Sequence, residues 1–249
     1  GYYYTTSGTD LEGETIMFDA PFFYLNGGTH SWNGTEIIVT ASYTFENSNR
    51  FYPRYNQEVN LNMNDATVTA TAVSDQGELQ GFQLGYGFYS MNLNMNNTTI
   101  SGLATMYGSI GRGSYTQYPL DYFNVENSTF THFKGYTSLN QAIQNTDICI
   151  QMNGGDGNYI YNNTFYNCGA GVQLERSPYY YTLSPSELGA DNATIDSNKF
   201  YDGGEIADVW IYGNNEAQGT VITNNLFNPS GGHAIASYAG KTADLLIQD

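Results

Sequence analysis

The chain has 249 residues, enough for one large domain or two small ones. Its net charge of -17, with only seven Lys plus Arg, argues against nucleic acid and anionic membrane surfaces, because phosphate binding needs clustered cations. Divalent cations, cationic surfaces or neutral glycans suit that charge better, and so does mutual repulsion between soluble copies. Only 12% of residues are charged, while 23 are Tyr and 28 are Gly, so neutral side chains of sheets and tight turns carry the polarity. A disordered chain would be poorer in aromatics. No apolar run is long enough for a transmembrane helix, so no membrane insertion is expected. No signal peptide is visible, and Gly1-Tyr2-Tyr3-Tyr4 would suit a mature chain whose signal has been removed.

Residues 1–60 contain three predicted strands: Thr15 to Phe18, Phe22 to Leu25 and Glu36 to Thr40. Gly27-Gly28 and Asn33-Gly34 read as turns between them. This part forms atypical N-terminal rungs or a cap, and residues 61–249 carry the repeats.

From there on a six-residue pattern recurs: apolar, any, polar corner, any, any, apolar. It begins at Met63, Met95, Val125, Ile160, Ile195 and Ile222, in steps of 32, 30, 35, 35 and 27 residues. The corner position reads Asp65, Asn97, Asn127, Asn162, Ser197 and Asn224, and the sixth reads Val68, Ile100, Phe130, Phe165, Phe200 and Phe227. A repeat of this length means one supersecondary unit stacked on copies of itself. Each hexad is too short for a helix and reads as a strand that ends, bends and restarts. Asn tolerates the left-handed backbone such a bend needs, and stacked Asn side chains can bond one another in a ladder. The competing reading is a β-sandwich with Asn-rich turns.

Residues 61–68 and 93–100 are nearly the same octapeptide. Ser101 to Leu120 is Gly- and Tyr-rich and reads as a loop with one short strand. Ser138 to Asn145 could make at most two helical turns. From Asp147 the units are regular, and Gly171-Val172-Gln173-Leu174, Asp208-Val209-Trp210-Ile211 and Ala234-Ile235-Ala236 supply a second apolar run per unit. The excursion Arg176 to Asp191 holds Tyr179-Tyr180-Tyr181, an aromatic patch on a loop. Asp244 to Asp249 is apolar and ends abruptly, so more chain follows or the end stacks on another subunit.

Cys149 and Cys168 can pair with each other, stay as buried thiols or bond neighbouring subunits; metal-type CxxC spacing is absent. Six sequons occur, at Asn33, Asn96, Asn97, Asn127, Asn162 and Asn192. Asn97, Asn127 and Asn162 fall at the corner, where a structural role takes precedence. Asn33 and Asn192 lie in loops and are the better N-glycosylation acceptors.

With its Asn corners and unequal loops, the repeat resembles the right-handed parallel β-helix (pectate-lyase-like) superfamily over about residues 60–249. The resemblance implies an all-β, single β-solenoid with an Asn ladder, and says little about activity. In related solenoid enzymes the substrate lies along the strand after the third turn. If Val172 and Leu174 point inward, then Gln173, Glu175, Asp208, Trp210 and Tyr212 point outward, as do Asp147, Cys149 and Gln151 one turn back. Carboxylates beside an indole and a phenol make a glycan-binding face, with Trp210, Tyr212 and Gln173 as contacts. If the chain is an enzyme, Asp147, Glu175, Asp208 and Arg176 are the catalytic candidates.

Family motifs weigh against that activity. Polygalacturonase-like enzymes combine Asn-Thr-Asp, Asp-Asp, Gly-His-Gly and Arg-Ile-Lys. Here Asn145-Thr146-Asp147 is present, Gly231-Gly232-His233-Ala234 is a partial echo, and the other two are missing. Resembling pectate lyases use an Arg or Lys base with calcium on Asp residues, but only Arg176 falls near the proposed face. His30, His132 and His233 have no triad or metal spacing. No cofactor is expected, and calcium is implied only by the resemblance. Two functions follow. The first is an extracellular structural protein, a β-solenoid subunit that self-associates into a cell-surface layer, sheath or fibre. The second is a carbohydrate-active β-helix: a lyase, hydrolase or tailspike-like depolymerase.

Overall fold

The structure is a computed structural model that describes residues 2–4, 8–18, 22–39, 49–53, 57–70, 82–84, 91–108, 123–132, 148–152, 157–175, 190–203, 207–212, 218–228, 232–237 and 245–248. The described residues form strands, turns and bends without a helix, and every strand pair is parallel. The chain is a parallel β-solenoid. One rung runs along Tyr159–Tyr161, bends, runs along Thr164–Tyr166, turns, and runs along Ala170–Glu175 before the next rung begins at Thr194–Asp196.

The three faces arise by stacking like on like. The first face is an eight-stranded sheet of Gly28–Ser31, Val59–Asn64, Met91–Asn96, Phe123–Glu126, Tyr159–Tyr161, Thr194–Asp196, Val221–Thr223 and Leu246–Gln248. The second (flank) and third faces merge into one sixteen-stranded sheet, because Thr99–Gly108 runs through both. Its start pairs with Thr67–Ala70 and Thr129–His132, and its end with Ile148–Met152. This segment was expected to be mostly loop. The register shifts between Ser101 and Leu103, at Gly102, and such a bulge lets one strand turn the corner without leaving the sheet.

The hexad's apolar positions become two columns of the core. Met63, Met95, Val125, Ile160, Ile195 and Ile222 are successive register partners and all are buried. Val68, Ile100, Phe130, Phe165, Phe200 and Phe227 form the second column. Its rings stack at centroid distances of 5.2, 4.9 and 5.3 Å. Each buried Phe is worth about 1.5–3 kcal/mol by burial, and each ring pair about 0.5–1.5 kcal/mol more.

Strands within residues 1–60 join the same sheets: Thr15–Phe18 pairs with Glu36–Val39, and Gly28–Ser31 with Val59–Asn64. His30 takes a core-facing place beside Leu61, accepting from the Thr9 amide at 3.1 Å and bonding the Asn26 carbonyl at 2.7 Å. Ser138 to Asn145, which could make at most two helical turns, and the Tyr179-Tyr180-Tyr181 patch lie outside the described residues.

Candidate functional site

The bend is the most regular feature. Asp65, Asn97, Asn127, Asn162, Ser197 and Asn224 all have φ between 50° and 58°. Each backbone amide there reaches a carbonyl of the next rung, as Asn162 to Asp196 at 3.0 Å and Asn224 to Gln248 at 3.1 Å. Their side chains are largely exposed and only partly joined. Asn97 donates to Asp65 at 2.6 Å and Asn162 to Asn127 at 2.7 Å. Asn127 donates instead to Asn96, and Asn224 to Asp196.

The continuous ladder sits one residue later, at buried Thr98, Ser128, Asn163 and Asn198 and half-buried Asn225. Each backbone N–H donates to the next rung's side-chain oxygen: Thr98 to Ser128 Oγ at 3.1 Å, Ser128 to Asn163 Oδ1 at 2.8 Å, Asn163 to Asn198 Oδ1 at 2.9 Å and Asn198 to Asn225 Oδ1 at 2.8 Å. Each Asn Nδ2 then donates to the carbonyl of Val125, Ile160 or Ile195, at 2.8, 2.9 and 2.8 Å. Thr98 Oγ1 does the same to Met63. Buried amides are tolerated because every donor and acceptor finds a partner. The expectation placed the ladder on the left-handed residue; the residue after it points inward and carries the bonds. The fourth hexad position, reading Ala66 and then Thr98, Ser128, Asn163, Asn198 and Asn225, was the available signal.

On the third face Gln151, Gln173, Trp210 and Ala236 are register partners, as are Glu175 and Tyr212. The predicted register therefore brings Gln173, Glu175, Trp210 and Tyr212 together on neighbouring strands. Gln173, Asp208 and Trp210 are buried, not open to solvent as expected, and Trp210 packs with Ala170, Ala207 and Ala236 in a small second core. Inward Val172 and Leu174 put Gln173 and Trp210 on the sheet's outer side, yet both are buried there. Only the backbone of Glu175 and Tyr212 is described, and Asp147 and Arg176 lie outside the described residues. Gly171 leaves room for the main core column: a Cβ there would stand 2.3 Å from the Phe200 ring and 3.0 Å from the Asp208 carbonyl.

Asp208 Oδ2 has no hydrogen-bond partner among the described residues, and burial pushes its carboxyl up to about 7. A protonated carboxyl beside an indole is a candidate general acid. No described second carboxylate completes a pair with it. Among the described residues no group of three or more His, Cys, Asp or Glu gathers to hold a metal ion. Among them, too, no helix is long and apolar enough to cross a membrane.

Cys149 and Cys168 form a disulfide that ties the third-face strand of one rung to the turn after Thr164–Tyr166, with Cα atoms 5.7 Å apart and both residues buried. Asn33, one of the two preferred sequons, already uses its amide: Nδ2 donates to Glu12 and Ser31, and Oδ1 accepts from the Asn64 backbone and side chain. Asn192 is exposed.

Comparison with family models, curated proteins and solved structures finds no match for this chain.

Proposed function

We propose that this chain is an extracellular structural protein, a β-solenoid subunit that stacks end on end into a cell-surface layer, sheath or fibre. The observation that carries the reading is an open rung. Ile247 is the register partner of Ile222, in the same core column as Ile195 and Ile160, yet it is 52% exposed while Ile222 is 1% exposed. Leu246 on the same strand as Ile247 is 49% exposed, and Leu226, on the rung of Ile222, is 51% exposed. The strands Leu226–Asn228, His233–Ser237 and Leu246–Gln248 each pair on one side only among the described residues. Parallel strands with one bare edge and an uncovered core column are completed by another parallel rung. That rung comes from further chain or from a second copy; this reading takes the second copy, whose first rung makes a heterologous contact that propagates into a filament. The buried disulfide supports an oxidising, extracellular setting. Membership of the pectate-lyase-like superfamily and glycosylation at Asn192 belong to the same reading, supported by the Asn bends and by exposure.

Electron microscopy of purified protein tests it. Filaments or sheets are expected at neutral pH, promoted by salt that screens the -17 charge. Monomers at every salt concentration reject it. Asp208 favours a second reading, carbohydrate chemistry on the third face. Its test is turnover across an acidic and neutral glycan panel, abolished by Asp208→Asn; a panel without turnover rejects it.

A further inference from the structure

The outer side of the first face carries a feature that neither reading uses. Along Val59–Asn64 and Met91–Asn96 the buried residues alternate with Asn60, Asn62 and Asn64, and with Asn92, Asn94 and Asn96. These six amides are direct register partners across the two strands. Asn92 donates to Asn60 at 2.9 Å and Asn94 to Asn62 at 3.3 Å, and Asn64 donates to Asn33 at 2.7 Å. Asn94 continues in register to Asn124 and then Tyr159, and Asn96 to Glu126 and then Tyr161. The Tyr159 and Tyr161 rings stack at 5.6 Å, 17° from parallel. All of these side chains are partly or fully exposed.

We infer that this face binds a neutral, extended polysaccharide lying along the solenoid axis. Ladder bonds orient Asn60, Asn62, Asn64, Asn92 and Asn94, and Asn96 accepts from Asn127; an amide offers two N–H donors and two lone pairs, more than one such bond uses. Fixed side chains need little ordering on binding, which favours weak repeated contacts with hydroxyl pairs. The two Tyr rings offer the apolar body and polar tip that sugar faces and edges match. Charge decides between occupants. The chain carries 24 acidic residues, yet the amide columns from Asn60 to Asn96 hold none. A polyanion is repelled by the whole molecule and by Glu126 and Asp196, which lie in the same outward column as Asn96 and Tyr161; the amide columns themselves offer a basic partner no carboxylate. Area argues against a second copy. Seven strand spacings of about 4.8 Å and strands about 10–20 Å long give a few hundred Å², below the roughly 800 Å² per partner of a standard interface.

Co-sedimentation with suspended microcrystalline cellulose and with chitin tests the inference without requiring end-to-end growth. The protein is expected to pellet with at least one of them at both low and high salt. Tyr159→Ala with Tyr161→Ala is expected to cut the bound fraction about tenfold, the equivalent of about 1.4 kcal/mol. Asn94→Asp, which keeps the shape but removes the amide donor to Asn62, is expected to weaken binding alike at low and high salt. Lys199→Ala, on the flank strand Lys199–Tyr201, leaves it unchanged. Circular dichroism confirms that each variant compared is folded. Absence from both pellets, equal pelleting by the folded variants, or capture by polygalacturonate alone overturns the inference.

Discussion

Asn198 shows what a single residue does in this fold. Its side chain accepts from the Asn163 amide and donates to the Ile160 carbonyl, both buried. Asn198→Ala leaves a donor and an acceptor without partners, so a loss of about 2–4 kcal/mol is expected in urea unfolding. Asp208 should show the opposite sign. Its folded carboxyl titrates at about 7, above its unfolded value, so its contribution is full below the unfolded value near 4 and is lost as pH rises through about 7. Asp208→Asn is therefore expected to stabilise the protein at pH 8 by about 2 kcal/mol, and by much less at pH 4. A variant no more stable at pH 8 would show that the carboxylate is paired or hydrated there. The spacing of the bends was legible because only a few residue types accept φ near 55° without strain. The buried ladder was not, since Thr98, Ser128 and Asn163 share a role without sharing a chemical type.

At the scale of the element, the rung is held by columns running along the axis. The Phe130, Phe165, Phe200 and Phe227 stack and the Ile160, Ile195 and Ile222 column were both readable, because a fixed spacing from the bend places them on the inner side. The third face was readable in register and misread in exposure. Alternation fixes which side of a strand a residue takes, but not what packs over that side; Gln173, Asp208 and Trp210 are buried. The disulfide adds a covalent tie between a third-face strand and the turn of the following rung. It closes a loop of 19 residues. Replacing both cysteines by Ser is expected to cost about 3 kcal/mol, read as a lower urea midpoint with a slope no smaller than the parent's. A midpoint shift near zero would mean that the columns alone fix these rungs.

For the whole molecule, the stack explains why so few charges suffice. Backbone groups are satisfied from rung to rung, and the faces present neutral amides and phenols. The same geometry leaves the rung of Ile247 uncovered, which is where growth is proposed. The central claim is that the rungs lie on one axis at the spacing of parallel strands. Spin-label distances from Asn64 to Thr223 and from Asn64 to Gln248 test it most directly, since all three lie in one outward column, five and six rungs apart. The account predicts separations of about 24 and 29 Å between the labelled sites, growing by one strand spacing per rung. Equal separations, or a shorter distance to Gln248 than to Thr223, would contradict it.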